Sequence, residues 1–83
     1  MKLRYFAWVR ERVGRAEEDI ALPDNVTTVG ALIAWLKTRG DESGSAFEHE
    51  TIIRAAIDRV HAKPDASLSG AREVAFFPPM TGG

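Results

Sequence analysis

Among its 83 residues the chain has no cysteine. Disulfides and cysteine metal sites are thereby excluded, and any sulfur handled here cannot ride on a protein thiol. A charge excess is missing as well: 11 Lys and Arg stand against 12 Asp and Glu, a formal net charge of −1. That balance excludes a general nucleic-acid binder, which carries a basic stripe. Long apolar runs are absent, and Met1-Lys-Leu-Arg opens on charge, so neither a signal peptide nor a membrane span is expected. There is no internal repeat and no low-complexity segment. The expectation is one small cytoplasmic domain whose core must suffice for stability. A content of 45% hydrophobic and 28% charged residues is ordinary for that class.

What is present starts with alternation. Lys2 to Trp8 reads as a strand, with Leu3 and Tyr5 on one face and Lys2, Arg4 and Phe6 on the other. The charged pair marks the second face as wet, which leaves Phe6 as an apolar residue facing solvent. Val9 and Val13, four apart and followed by Gly14, predict one helical turn with a glycine stop. Glu17 to Leu22 reads as a second strand with Ile20 and Leu22 inward, completing a hairpin with a long loop.

The clearest helix spans about residues 28–39, capped from Thr27-Thr28. Val29, Leu32, Ile33 and Leu36 make one apolar stripe, widened by Trp35. Lys37 and Arg39 complement the end of the dipole, and Gly40 supplies a left-handed stop. Residues 41–50 read as a polar loop anchored by Phe47. His49 sits there between two glutamates, a solvated position, and no metal site is assigned. Residues 52–57 predict a third strand with Ile53, Ala55 and Ile57 inward. A turn at Asp58-Arg59, a short strand Val60-His61-Ala62 and an isolated anchor at Leu68 follow.

The chain closes on Glu73-Val-Ala-Phe-Phe-Pro-Pro-Met-Thr-Gly-Gly83. Period two places Val74 and Phe76 on one face, Ala75 and Phe77 on the other. Pro78 and Pro79 have no N–H to donate and end the ladder. Gly82 and Gly83 have no side chain and could pass through a narrow channel, whereas a plain frayed end would have no such use. A free carboxylate is a poor electrophile, but as an acyl-adenylate it accepts a nucleophile. The pattern as a whole predicts an α+β fold, a mixed four- to five-stranded sheet covered on one face by one main helix. The apolar last strand suits its centre.

Phe6-Ala7, Val9-Arg10-Glu11 and Gly14, together with the eleven closing residues, resemble the small-subunit family of molybdopterin synthase. The resemblance covers nearly the whole chain. It implies a ubiquitin-like β-grasp fold over residues 1–79, first and last strands parallel and adjacent, with 80–83 as a flexible tail. Two departures from the family pattern are Asp58, where Asn is usual, and Gly70-Ala-Arg-Glu73, where Gly-Asp-Glu is usual.

The resemblance further implies that an adenylating enzyme similar to ubiquitin's uses ATP to activate Gly83. A sulfur donor protein then converts it to a thiocarboxylate. The large subunit, which supplies the catalytic pocket, receives the tail, and the sulfur passes to a cyclic pterin phosphate. No permanently bound cofactor is implied. Gly83 carries the chemistry, and Gly82 keeps the tail slim. Phe6, His61, Phe77, Pro78, Pro79, Met80 and Thr81 are the expected partner-binding residues, His61 as a member of the patch and not as a proton carrier. Three other readings stand beside this one: a sulfur carrier for thiamin thiazole synthesis, a ubiquitin-like modifier of lysines, and an interaction module with an inert tail.

Overall fold

A computed structural model describes residues 1–39, 47 and 53–79. Within them the order is β1 (Lys2–Tyr5), α1 (Ala7–Val13), β2 (Glu17–Asp19), α2 (Val29–Lys37), β3 (Arg54–Ile57), β4 (Val60–Ala62) and β5 (Glu73–Phe77). The strands form one mixed sheet, β2-β1-β5-β3-β4. β1 and β5 run parallel, Leu3 opposite Val74 and Tyr5 opposite Phe76, while the other pairings are antiparallel. The most apolar strand therefore sits in the middle, with Val74, Ala75 and Phe76 all buried. This is the β-grasp arrangement expected from the sequence.

The core lies on one face of the sheet. Leu3, Tyr5, Val74 and Phe76 point into it, against Val29, Leu32, Ile33 and Leu36 of α2 and Val9 and Val13 of α1. Each large apolar side chain buried here contributes about 1.5–3 kcal/mol. Phe47 is fully buried and sets its ring edge-on to Phe76 at 4.8 Å between centroids. Tyr5 stacks on Phe76 at 6.1 Å, so three aromatics fill the space at the root of the last strand.

The helix ends follow from their residues. Thr28 Oγ1 accepts the Ala31 N–H at 3.1 Å, which satisfies one orphan donor of α2. Gly14 takes φ 88 and donates its N–H to the Arg10 carbonyl, closing α1 as a left-handed cap.

Several boundaries differ from those read off the sequence. The first strand ends at Tyr5 and not at Trp8, because Ala7 adopts φ 52 and turns the chain into α1. α1 is thereby seven residues long, more than a single turn. The second strand stops at Asp19, and Ile20 and Leu22 pack against the core from beyond it. α2 runs from Val29 to Lys37. The third strand is assigned from Arg54. Gly40, His49 and the expected loop at 41–50, apart from Phe47, lie outside the described residues.

Arg39 does more than complement a dipole. It reaches across to β2, where its Nη1 lies 3.0 Å from Glu18 Oε1, and its guanidinium lies over Trp35. Glu18 faces inward because it pairs with Leu3, and its side chain is only 8% exposed. Tyr5 donates its hydroxyl to Glu18 Oε2 at 3.0 Å. Burial, then the charge and hydrogen bond of Glu18, hold the Tyr5 phenol well above its ordinary value, so it stays neutral and donating.

Candidate partner-docking site

The opposite face of the sheet carries no helix among the described residues, and parity decides what it presents. Arg4, Ala75, Ala56 and His61 form one cross-strand row, and Phe77 stands opposite Arg54 in the next. Phe77 and His61 meet edge to face, ring centroids 6.0 Å apart at 65°. Phe6 follows β1 on this side, 42% exposed, with the Arg4 guanidinium 5.5 Å from its ring centroid. Phe6 and Phe77 thus lie at the same end of the central strand pair, each ring with a different neighbour. Small side chains, Ala75 and Ala56, occupy the middle of the row.

Two ion pairs lie on this face. Arg4 lies 3.6 Å from Glu73, and Lys2 lies 3.2 Å from Glu17. Both pairs are exposed enough that each contributes well under about 1 kcal/mol. The Phe6–Phe77–His61 end keeps two arginines beside its rings, Arg4 over Phe6 and Arg54 opposite Phe77.

The root of the tail adjoins this patch. Pro78 and Pro79 continue directly from β5 and are half-buried. With neither able to donate, β5 has no further rung in the ladder after Phe77. Of the expected site residues, Phe6, His61 and Phe77 are placed on the helix-free side of the sheet, and Pro78 and Pro79 follow Phe77 directly. Met80, Thr81, Gly82 and Gly83 lie outside the described residues.

Three features of this region were missed by pattern reading. Arg4 contributes to the patch through its stack on Phe6, a contact that alternation alone does not disclose. Ala7 holds a left-handed conformation, and nothing in Phe6-Ala7-Trp8 breaks the strand-like alternation to announce it. The two departures from the family pattern also touch. Asp58 takes φ 47, and its Oδ1 accepts the backbone N–H groups of Arg72 and Glu73 at 3.0 and 2.9 Å. Asp tolerates the left-handed region nearly as well as Asn, and either side chain offers that oxygen.

No helix among the described residues is long and apolar enough to cross a membrane. Nor do the described residues gather three or more metal-ligating side chains.

Known proteins resemble this chain over nearly its whole length. The molybdopterin synthase sulfur carrier subunit of Escherichia coli K12 is 36% identical over 100% of this chain and 99% of its own length. The protein of the same name in Haemophilus influenzae is 31% identical, again over 100% of this chain and 99% of its own. The crystal structure of SAMP1 from Haloferax volcanii superposes at a TM-score of 0.72, with 22% identity, over 99% of this chain and 97% of that one. That likeness speaks to the fold alone. The sequence profile of the ThiS family matches residues 3–83, and the chain belongs to that family.

Proposed function

We propose that this chain is the sulfur-carrying subunit of a molybdopterin synthase, active in the cytoplasm. The observation that carries the reading is the junction at Phe77-Pro78-Pro79. A buried central strand ends there beside an exposed aromatic patch, and four residues ending in Gly82-Gly83 remain beyond it. Near-full-length likeness to two proteins named as such carriers supports the same reading.

The chemistry proposed for the tail is as follows. An adenylating enzyme joins the Gly83 carboxylate to the AMP portion of ATP and releases pyrophosphate. Sulfide supplied by a donor protein attacks the acyl carbon, and AMP leaves. The product is a thiocarboxylate, whose sulfur is the nucleophile toward a cyclic pterin phosphate held by the large subunit. Water then releases the glycine carboxylate. Two such transfers build the dithiolene. Acid and base groups belong to the large subunit, and this chain contributes the sulfur, the slim Met80-Thr81-Gly82-Gly83 arm and the docking patch of Phe6, His61 and Phe77.

The test is intact mass after incubation with ATP, an adenylating enzyme and sulfide. The proposal expects exchange of one oxygen for one sulfur, then its reversal on adding large subunit and pterin precursor. Unchanged mass in the presence of an adenylating enzyme active on another carrier would refute it. Stable conjugates on lysines would identify a protein modifier instead.

A further inference from the structure

The outer edge of β4 carries a second surface, which shares His61 with the aromatic patch. Among the described residues β4 is the last strand of the sheet and pairs on one side only. Its turn from β3 has two residues, Asp58 and Arg59, both left-handed at φ 47 and 73. A two-residue turn of that kind makes Ile57 and Val60 a hydrogen-bonded pair. Alternation then makes Ala56 and His61 a non-hydrogen-bonded pair, which turns the His61 N–H and C=O outward. Val60, beside it, is 69% exposed.

Behind this edge a cleft of about 260 Å³ opens between α2 and the ends of β3 and β4. Val29, Ile33, Ile53 and Ala62 form its apolar wall, and the exposed His61 and Lys63 complete the lining. Neither Lys63 nor Arg59 takes part in an ion pair among the described residues. A short edge followed by Lys63-Pro64 is a common defence against self-pairing. The defence here is specific. If a second copy paired antiparallel about His61, Lys63 of each copy would oppose Arg59 of the other, and like charges directly opposite destabilise a ladder. The same two cations match a strand with carboxylates at both ends.

From this geometry we propose that the β4 edge receives an extended acidic–apolar segment of a partner protein. Its backbone pairs with His61, its acidic residues lie opposite Arg59 and Lys63, and its apolar residues lie opposite Val60 and Ala62. The residue opposite Ala62 stands on the helix side and fills the cleft. The motif reads acidic, apolar, any residue, apolar, acidic. It is palindromic, so it suits either strand direction. The inference stands on the edge and cleft alone and does not depend on the sulfur-carrier reading.

The test titrates the isotope-labelled full chain with the peptide acetyl-Ser-Asp-Val-Thr-Leu-Asp-Ser-amide and follows backbone amide shifts. Saturable shifts centred on His61, Ala62, Lys63 and Ile33 are expected. Lys63→Glu, with an unchanged melting temperature, should weaken binding roughly tenfold. The same variant should gain affinity for a control peptide carrying lysine in place of each aspartate. Equal binding of both peptides by the unaltered chain overturns the proposal. So do shifts confined to Phe6 and Phe77, or an edge found already closed by self-association of the chain without peptide.

Discussion

Phe6 donates its backbone N–H to the Phe76 carbonyl at 3.0 Å, a rung that closes the parallel pairing of β1 and β5 at the root of the tail. Immediately beyond it the two strands part. β1 is turned into α1 by the left-handed Ala7, and β5 meets Pro78 and Pro79. Ala7 carries a Cβ at φ 52, where an L-residue is disfavoured by about 1–2 kcal/mol. Ala7→Gly should therefore stabilise the domain by about 0.5–1 kcal/mol after the extra chain entropy of glycine is subtracted. Ala7→Val should destabilise it. Denaturant midpoints for both variants check the claim, and a destabilised glycine variant would show that the left-handed turn carries no strain.

Phe76 and Phe77 are neighbours with opposite duties. Phe76 is 0% exposed inside the aromatic cluster, whereas Phe77 lies on the helix-free face against His61. Phe76→Ala should cost about 3–5 kcal/mol by leaving a cavity. Phe77→Ala should cost about 1 kcal/mol or less in stability while weakening large-subunit binding strongly, as loss of a central aromatic anchor does. Similar losses of stability in urea would contradict this division of faces.

Glu18 ties β2 to the end of α2 through Arg39, with Arg15 3.8 Å from the same oxygen. Glu18→Ala should destabilise the domain by about 2–3 kcal/mol. That is below the loss expected for a fully buried pair, because Arg39 retains some contact with water. A thermal melt indistinguishable from that of the unaltered chain would mean the clasp is incidental.

Tyr5 gives the domain an alkaline limit. Its folded value lies above the unfolded value of about 10, so the folded state keeps the proton longer. The associated stability is fully present below pH of about 10 and is lost as pH rises toward the folded value. Tyr5→Phe should cost about 1 kcal/mol at neutral pH by removing one hydrogen bond, and should flatten the decline in alkali. The chain has one tyrosine, so phenolate absorbance reports this group alone. Ionisation well before unfolding would contradict the assignment.

Much of this was legible from periodicity because one sheet face is buried. Alternation separates Leu3 and Tyr5 from Lys2 and Arg4, and Val74 and Phe76 from Phe77, and the stripe on α2 reads directly. Capping chemistry likewise marks Thr28 and Gly14. What escaped pattern reading depends on contacts between distant segments. Glu18 looks like one acid in an acidic run until the β1–β2 register sets it against Leu3. Phe47 was legible as the anchor of a polar stretch, but its partners Tyr5 and Phe76 were not. His61 and Phe77 are sixteen positions apart, from 61 to 77, and meet because β3 lies between their strands.

The most direct test of the account is single-turnover sulfur transfer by chains lacking Gly83 or carrying Gly82→Val, compared with the unaltered chain alongside thermal melts and large-subunit binding. The ladder ends at Phe77, so neither change should alter the melting temperature. In the proposed chemistry, loss of Gly83 removes the carboxyl position that would carry sulfur, and a branched residue at 82 widens an arm proposed to enter a narrow channel. The account predicts folded proteins that bind the large subunit through Phe6, His61 and Phe77 and transfer no sulfur. A chain without Gly83 that converts the pterin precursor at the unaltered rate would contradict it.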